Sequence, residues 1–65
     1  MITINGEKMD INEPLKLLSW LEFKNINPSK IAVEYNGEII NRTEFGSIIL
    51  KDGDNLEIVV FMGGG

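Results

Sequence analysis

The length of the chain sets the first limit on its fold, because 65 residues can enclose one small hydrophobic core and no more. A domain of this size buries only about 60% of the surface that its unfolded chain exposes. A deep cleft with a full set of catalytic groups is therefore not expected. The sequence predicts a single domain over residues 1–61 and a flexible glycine-rich tail over residues 62–65.

Two residue types that carry much protein chemistry, histidine and cysteine, are both absent. Their absence excludes imidazole acid–base catalysis, thiolate nucleophiles, thiolate zinc sites and disulfides. Asp52 and Asp54 could suggest metal binding, but their turn lacks the further ligands of a calcium loop. We therefore expect neither an enzyme nor a bound metal or cofactor.

The charge and the N-terminal sequence limit the partners and the compartment. Ten acidic and six basic residues give a net charge of −4, which disfavours nucleic acid and suits either a basic protein partner or simple solubility. No basic segment precedes a long apolar run, and no stretch approaches the roughly 20 apolar residues of a membrane span. We expect a cytoplasmic protein without membrane contact.

Two short strands are predicted at the start of the chain. Ile2 and Ile4 alternate with polar residues, the period of a half-buried strand. The Asn5-Gly6 pair favours a tight hairpin turn, after which residues 7–11 can return as an edge strand.

A helix is predicted next. Asn12 can cap it, and Pro14 suits its first turn. Trp20 flanks the apolar stripe of this helix, and we interpret it as closing the seam with a sheet rather than as a platform for a ligand. Three leucines share the stripe and are expected to face the sheet: Leu17, Leu18 and Leu21.

The second half of the chain predicts further strands. Residues 31–35 alternate between apolar and polar, the Asn36-Gly37 pair turns the chain, and residues 38–40 can return. Residues 42–46 predict a tight turn or a single helical turn with Phe45 as its apolar plug.

A brief strand over residues 47–50 and a turn over residues 51–54 are expected to follow. Strands dominate, and one helix must cover one face of one sheet. The predicted fold class is therefore α+β.

The last predicted strand, residues 56–61, is the most apolar run in the chain. Alternation should direct Leu56, Ile58 and Val60 towards the helix. Val59 and Phe61 are then left on the open face of the sheet, where a contiguous apolar patch often marks a binding surface.

The sequence ends with Met62 and three glycines, Gly63, Gly64 and Gly65. Taken alone, this run is equally typical of a frayed chain end. It directly continues the most hydrophobic strand, however, and a tail without side chains can be threaded into the narrow active site of another enzyme. The carboxylate of Gly65 would then be the group that is modified. Activation as an acyl-adenylate would let a sulfur nucleophile form a thiocarboxylate, or an amine form an amide.

Several segments, taken in order, resemble the ThiS-type sulfur carrier proteins of thiamine biosynthesis. The most specific are the Asn36-Gly37-Glu38-Ile39-Ile40 hairpin with Arg42, the Asp52-Gly53-Asp54 turn and the glycine terminus. Two positions depart from the family pattern, since Asn41 and Phe45 stand where proline and tryptophan are frequent. Both departures look structural and leave the carrier role intact.

The resemblance implies a ubiquitin-like β-grasp fold. This is a mixed sheet of four to five strands with one main helix packed on one face, and the final strand is central and parallel to the first. It also implies that an E1-like adenylyltransferase uses ATP to adenylate Gly65. A donor protein then supplies sulfur for a thiocarboxylate, which passes the sulfur to thiazole synthase.

In this interpretation residues 63–65 thread into the partner's active site, while Val59, Phe61 and Met62 dock on partner proteins. The free carrier is expected to be a monomer. Two alternatives remain open: a sulfur carrier for molybdopterin synthesis or tRNA thiolation, and a ubiquitin-like interaction or conjugation module.

Overall fold

Strands account for most of the regular structure in the computed structural model, which describes residues 1–61. None of the helices within these residues is long and apolar enough to cross a membrane. The elements follow one another in the order β1 (Ile2–Ile4), β2 (Glu7–Met9), β3 (Leu15–Lys16), α1 (Leu17–Phe23), a first 3₁₀ helix (Pro28–Lys30), β4 (Ile31–Tyr35), β5 (Glu38–Ile40), a second 3₁₀ helix (Arg42–Ser47), β6 (Ile49–Leu50) and β7 (Asn55–Val60).

Five strands form one mixed sheet in the order β2-β1-β7-β4-β5. The last strand, β7, is central; it is parallel to β1 and antiparallel to β4. The β1–β2 and β4–β5 pairs are antiparallel hairpins. This arrangement confirms the predicted mixed sheet, including the central place of the last strand. The remaining strands, β3 and β6, pair in a separate two-stranded ladder.

The two Asn-Gly pairs form the hairpin turns that the sequence predicted. Asn5 and Gly6 have φ angles of 50° and 82°, and Asn36 and Gly37 have 49° and 88°. Two consecutive residues with positive φ match the right-handed twist of the flanking strands, and asparagine and glycine tolerate this conformation best.

The predicted start of the helix is wrong. Asn12 does not cap α1, because Leu15 pairs with Leu50 and Lys16 pairs with Ile49 in the β3–β6 ladder. The helix begins only at Leu17, and it is seven residues long. A contact between segments far apart in sequence therefore overrides the local capping signal.

The helix faces the sheet through Leu17 and Leu21, which are both fully buried. Leu18 was expected in the same stripe, but 42% of its surface is exposed. Trp20 instead packs against the core beside these two leucines and is half-buried. This position confirms the interpretation of Trp20 as a residue that closes the seam with the sheet. In so short a helix, the i, i+4 pair of leucines defines the direction of the core, and Leu18 lies at its rim.

One hydrophobic core fills the space between α1 and the sheet. Phe45 is 2% exposed in the second 3₁₀ helix, which confirms its predicted role as an apolar plug. The start of that helix is fixed by the Asn41 backbone N–H, which donates to the Glu44 carboxylate at 2.9 Å. The buried apolar residues are Ile2, Ile4, Leu17, Leu21, Ile31, Val33, Phe45, Leu50, Leu56 and Ile58.

Candidate functional site

The end of β7 presents apolar side chains to solvent. Val59 is 61% exposed and Phe61 is 57% exposed, as their predicted place on the open face requires. Strand β7 ends at Val60, and the Phe61 N–H extends the ladder by donating to the Lys30 carbonyl oxygen at 2.8 Å. The backbone is therefore held by hydrogen bonds up to the last described residue.

Val60 was predicted to point towards the helix, and this prediction is wrong. It has the parity of the buried residues Leu56 and Ile58, but half of its surface is exposed. Its register partner is Ile31, the first residue of β4, so Val60 lies where the sheet reaches its end. Alternation alone cannot show that a strand continues past the core that covers it.

The remaining residues predicted for the site lie outside the described residues. These are Met62 for docking and Gly63, Gly64 and Gly65 for the threaded, modified tail. Their roles stay predictions, as does the docking role of Val59 and Phe61.

A row of three side chains crosses the open face beside Val59. Glu57 of β7 is the register partner of Glu34 of β4, and Glu34 is in turn the partner of Ile39 of β5. All three side chains are exposed, and Ile39 is 80% exposed. The sequence interpretation did not assign this row to the site. The two-residue Asn36-Gly37 turn was the available signal, because it fixes the register that places Ile39 opposite Glu34.

At the other end of β7, Asp54 joins two turns. The side chain is 6% exposed, and its Oδ2 accepts hydrogen bonds from the Tyr35 hydroxyl at 2.6 Å and from the Lys51 N–H at 2.9 Å. Its Oδ1 accepts from the Asn36 amide at 3.1 Å. The Asn36 amide oxygen also accepts from the Asn55 N–H at 2.7 Å. The turn before β7 is thereby fastened to the β4–β5 hairpin.

This network shifts the protonation equilibria of its members. Burial alone would raise the pKa of Asp54, but the hydrogen bonds from Tyr35, Lys51 and Asn36 outweigh it and the pKa is lowered. The hydrogen bond to Asp54 raises the pKa of the Tyr35 hydroxyl, since ionisation would forfeit that bond.

Residues 1–61 hold no group of three or more potential metal-ligating side chains. Asp54 serves the packing of the turns.

A mixed five-stranded sheet with a central last strand parallel to the first, and one helix across one face, defines a ubiquitin-like β-grasp protein. A model of the ThiS family matches residues 2–65, and the chain belongs to this family. The thiamine biosynthesis protein (ThiS) of Geobacter metallireducens has a similar solved structure, with a TM-score of 0.79 and 34% identity. That match covers 98% of this chain and 97% of the Geobacter chain.

Curated relatives fall into two groups. The uncharacterized protein ycf40 of Pyropia yezoensis is 38% identical over 64 residues, which are 98% of this chain and 90% of that protein. A thiazole synthase of Paramagnetospirillum magneticum is 36% identical over 64 residues, again 98% of this chain. Here the match spans only 20% of the relative's length.

Proposed function

We propose that this protein is a sulfur carrier of thiamine biosynthesis and that the carboxylate of Gly65 carries the sulfur. The observation that supports this most strongly is the match to the ThiS family, which extends through residue 65. The exposed apolar end of β7 supports it further, because an apolar surface next to the tail suits docking on an activating enzyme.

The chemistry requires a partner, because a carboxylate is a poor electrophile. In the proposed first step, the Gly65 carboxylate attacks the α-phosphorus of ATP in an E1-like adenylyltransferase, and pyrophosphate leaves. Hydrosulfide, which a donor protein would supply, then attacks the acyl carbon, the bond from that carbon to the AMP oxygen breaks, and AMP leaves. The product is a terminal thiocarboxylate. The carrier itself is the substrate of these steps, and ATP enters with the adenylyltransferase.

Thiazole synthase is the proposed acceptor of the sulfur. The support is that a segment similar to this whole chain occurs inside polypeptides named thiazole synthase, in Paramagnetospirillum magneticum and in Magnetococcus marinus. Domains that are joined in one polypeptide commonly take part in the same reaction sequence. We propose the same functional pairing for this chain.

The direct test is the intact mass of the protein after reaction. The chain is incubated with the adenylyltransferase of the same organism, ATP and sodium sulfide as the sulfur source. We expect a mass increase equal to the replacement of one oxygen by sulfur, and this increase should depend on ATP. An unchanged mass with an adenylyltransferase of proven activity would refute the carrier role.

The matched control is a chain that lacks Gly64 and Gly65. It should gain no sulfur, while its thermal unfolding midpoint stays close to that of the full chain. Sulfur addition to this shortened chain would show that the modified group lies elsewhere. The thiocarboxylate form, given to thiazole synthase with its other substrates, should return to the original mass.

A further inference from the structure

An open groove lies between the β1–β2 hairpin and the C-terminal half of α1. Its floor is apolar, because Ile4 is buried and three side chains beside it are half-buried against the core: Met9, Trp20 and Ile26. The groove has a volume of about 410 Å³, which is within the range of protein ligand sites. It opens on the helix side of the sheet and is therefore separate from the face that carries Val59.

One wall of the groove is β2, an edge strand. Within residues 1–61 no strand pairs with its outer side, because β2 stands at one end of the five-stranded sheet. Hydrogen-bonded and non-bonded pairs alternate in an antiparallel ladder, and the two-residue Asn5-Gly6 turn makes Ile4 and Glu7 a bonded pair. The next residue, Lys8, therefore directs its backbone N–H and C=O away from β1, where an added strand can bind both.

The rim of the groove is more basic than the chain as a whole. Lys8 and Lys24 line it with a single carboxylate, Glu7, whereas the chain has a net charge of −4. Both lysines are exposed, and neither forms an ion pair within residues 1–61, where the ion pairs lie at the start of β7. The two ammonium groups favour an acidic occupant.

We propose that an extended segment of a partner protein, with alternating apolar and acidic residues, adds to β2 as a further strand of the sheet. Its backbone bonds to the N–H and C=O of Lys8, and its apolar side chains enter the groove between Met9 and Trp20. Strand addition of this kind takes its affinity from main-chain hydrogen bonds and its specificity from pockets for alternate side chains. The inference goes beyond sulfur transfer and does not depend on it.

The acidic residues of the segment have two partners in this arrangement. Side chains alternate between the faces of a strand, so those that follow the apolar ones lie beside the Lys8 side chain, which shares its face with its register partner Thr3. Opposite charges on neighbouring strands stabilise such pairs. Lys24, on the helix side of the groove, is placed to bind a carboxylate at the end of the segment.

A second copy of the chain is a poorer occupant of the same edge. Strand β2 is three residues long, and Lys8 is its middle residue. A two-fold axis that paired two copies through β2 would therefore place their Lys8 residues opposite one another. Like charges in this position destabilise a pair of strands.

The test uses a synthetic peptide with acetylated and amidated ends, in which three valines alternate with three glutamates. The isotope-labelled chain is titrated with this peptide at low salt, and its amide resonances report both the site and the dissociation constant. We expect the largest shifts at residues 7–9 and 20–26, and little change at residues 38–40 on the opposite edge strand. A peptide with lysines in place of the glutamates should bind at least about 5-fold more weakly.

Proline substitutions on the two edge strands form a matched pair. Lys8→Pro removes an N–H that points away from the ladder, so the hydrogen bonds between β1 and β2 are kept. Ile39→Pro is the control, because Ile39 of β5 is likewise the second residue after an Asn-Gly turn. We expect Lys8→Pro to weaken binding of the peptide about 5- to 10-fold and Ile39→Pro to change it less than about two-fold.

A second variant keeps the test valid if Lys8→Pro lowers the thermal unfolding midpoint. Lys8→Gln retains the N–H and removes the charge, and it should weaken binding about three-fold at low salt and less at physiological salt. Unchanged affinity in both Lys8 variants would overturn the inference, as would equal affinity for the glutamate and lysine peptides.

The site of the resonance shifts decides between this edge and other surfaces. Shifts confined to β5 or to the face that carries Val59, or no shifts at millimolar peptide, would overturn the inference. A dimer in sedimentation that Lys8→Pro dissociates would assign the edge to a second copy and would also overturn it. Sulfur addition to Gly65 is measured by intact mass in a separate reaction, so failure of the proposed function would leave the peptide result unchanged.

Discussion

A single carboxylate connects segments that lie far apart in the sequence. Asp54 accepts hydrogen bonds from Tyr35, from Asn36 and from the backbone of Lys51, so it joins the β4–β5 hairpin to the turn that precedes β7. The nearby Gly53 N–H donates to the carbonyl oxygen of Met1 at 2.8 Å, which adds the start of the chain to the same cluster. The Asp52-Gly53-Asp54 motif is therefore explained by folding.

Replacement of this carboxylate should lower stability in a pH-dependent manner. We expect Asp54→Asn to reduce the free energy of unfolding at pH 7 by about 2 kcal/mol, since hydrogen bonds to charged groups contribute roughly 1.5–3 kcal/mol. The pKa of Asp54 is lowered in the folded state. Its contribution is therefore complete above the unfolded-state value of about 3.9 and is lost as the pH falls through the lower folded-state value.

Urea unfolding curves between pH 7 and pH 2 provide the measurement. The difference between the original chain and the Asp54→Asn variant should be constant near neutrality and should shrink below about pH 4. Asp10→Asn, at an exposed position, serves as the control and should change little. A difference that does not depend on pH would show that packing of Asp54, rather than its charge, is what stabilises the fold.

At the scale of the elements, the short helix has one buried direction. Leu21→Ala should reduce the free energy of unfolding by roughly 2–5 kcal/mol, because it leaves a cavity in the core. Leu18→Ala, three residues earlier and 42% exposed, should cost about 1 kcal/mol. Both losses are measured by denaturant unfolding, with one slope of free energy against denaturant concentration fitted to both variants. Equal losses would place Leu18 in the core after all.

The strands of the five-stranded sheet and their hairpin turns could be predicted from the sequence because their signals are local, whereas strand β3 was not predicted. Alternation located β1, β4 and β7, and the two Asn-Gly pairs fixed the hairpins. The start of α1 could not be predicted from Asn12 and Pro14, because Leu15 is held by Leu50 through a pairing between distant segments. Local propensity yields to tertiary contact at such positions.

The candidate site was predictable in part for the same reason. The parity of β7 identified Val59, but parity says nothing about how far the core extends, and so it misplaced Val60. The row formed by Glu57, Glu34 and Ile39 depends on the register of three strands. The pattern of a sequence describes each strand by itself, whereas a surface on a sheet is formed by side chains from neighbouring strands.

At the scale of the whole molecule, the two faces of the sheet differ in what they contact. One face packs on α1 and holds the core, while the other carries the apolar residues proposed for docking. Val59→Asp should therefore weaken binding of the adenylyltransferase at least ten-fold, on the order of a central interface residue. The free energy of unfolding should fall by less than the free energy of binding does, because Val59 is 61% exposed.

Ile49→Asp is the matched control for Val59→Asp. Ile49 is also apolar and 49% exposed, but it belongs to the separate β3–β6 ladder. It should leave the dissociation constant nearly unchanged. If both substitutions weakened binding equally, or if Val59→Asp unfolded the domain, the assignment of the docking face would be wrong.

The central position of β7 also has a mechanical consequence. A force that pulls the chain from its C-terminal side acts along a strand that is paired with β1 on one edge and with β4 on the other. The hydrogen bonds of both ladders lie across the direction of pull, so they are loaded in shear together rather than opened one after another. If residues 62–65 enter a partner enzyme as proposed, tension applied to them would therefore leave the domain over residues 1–61 folded.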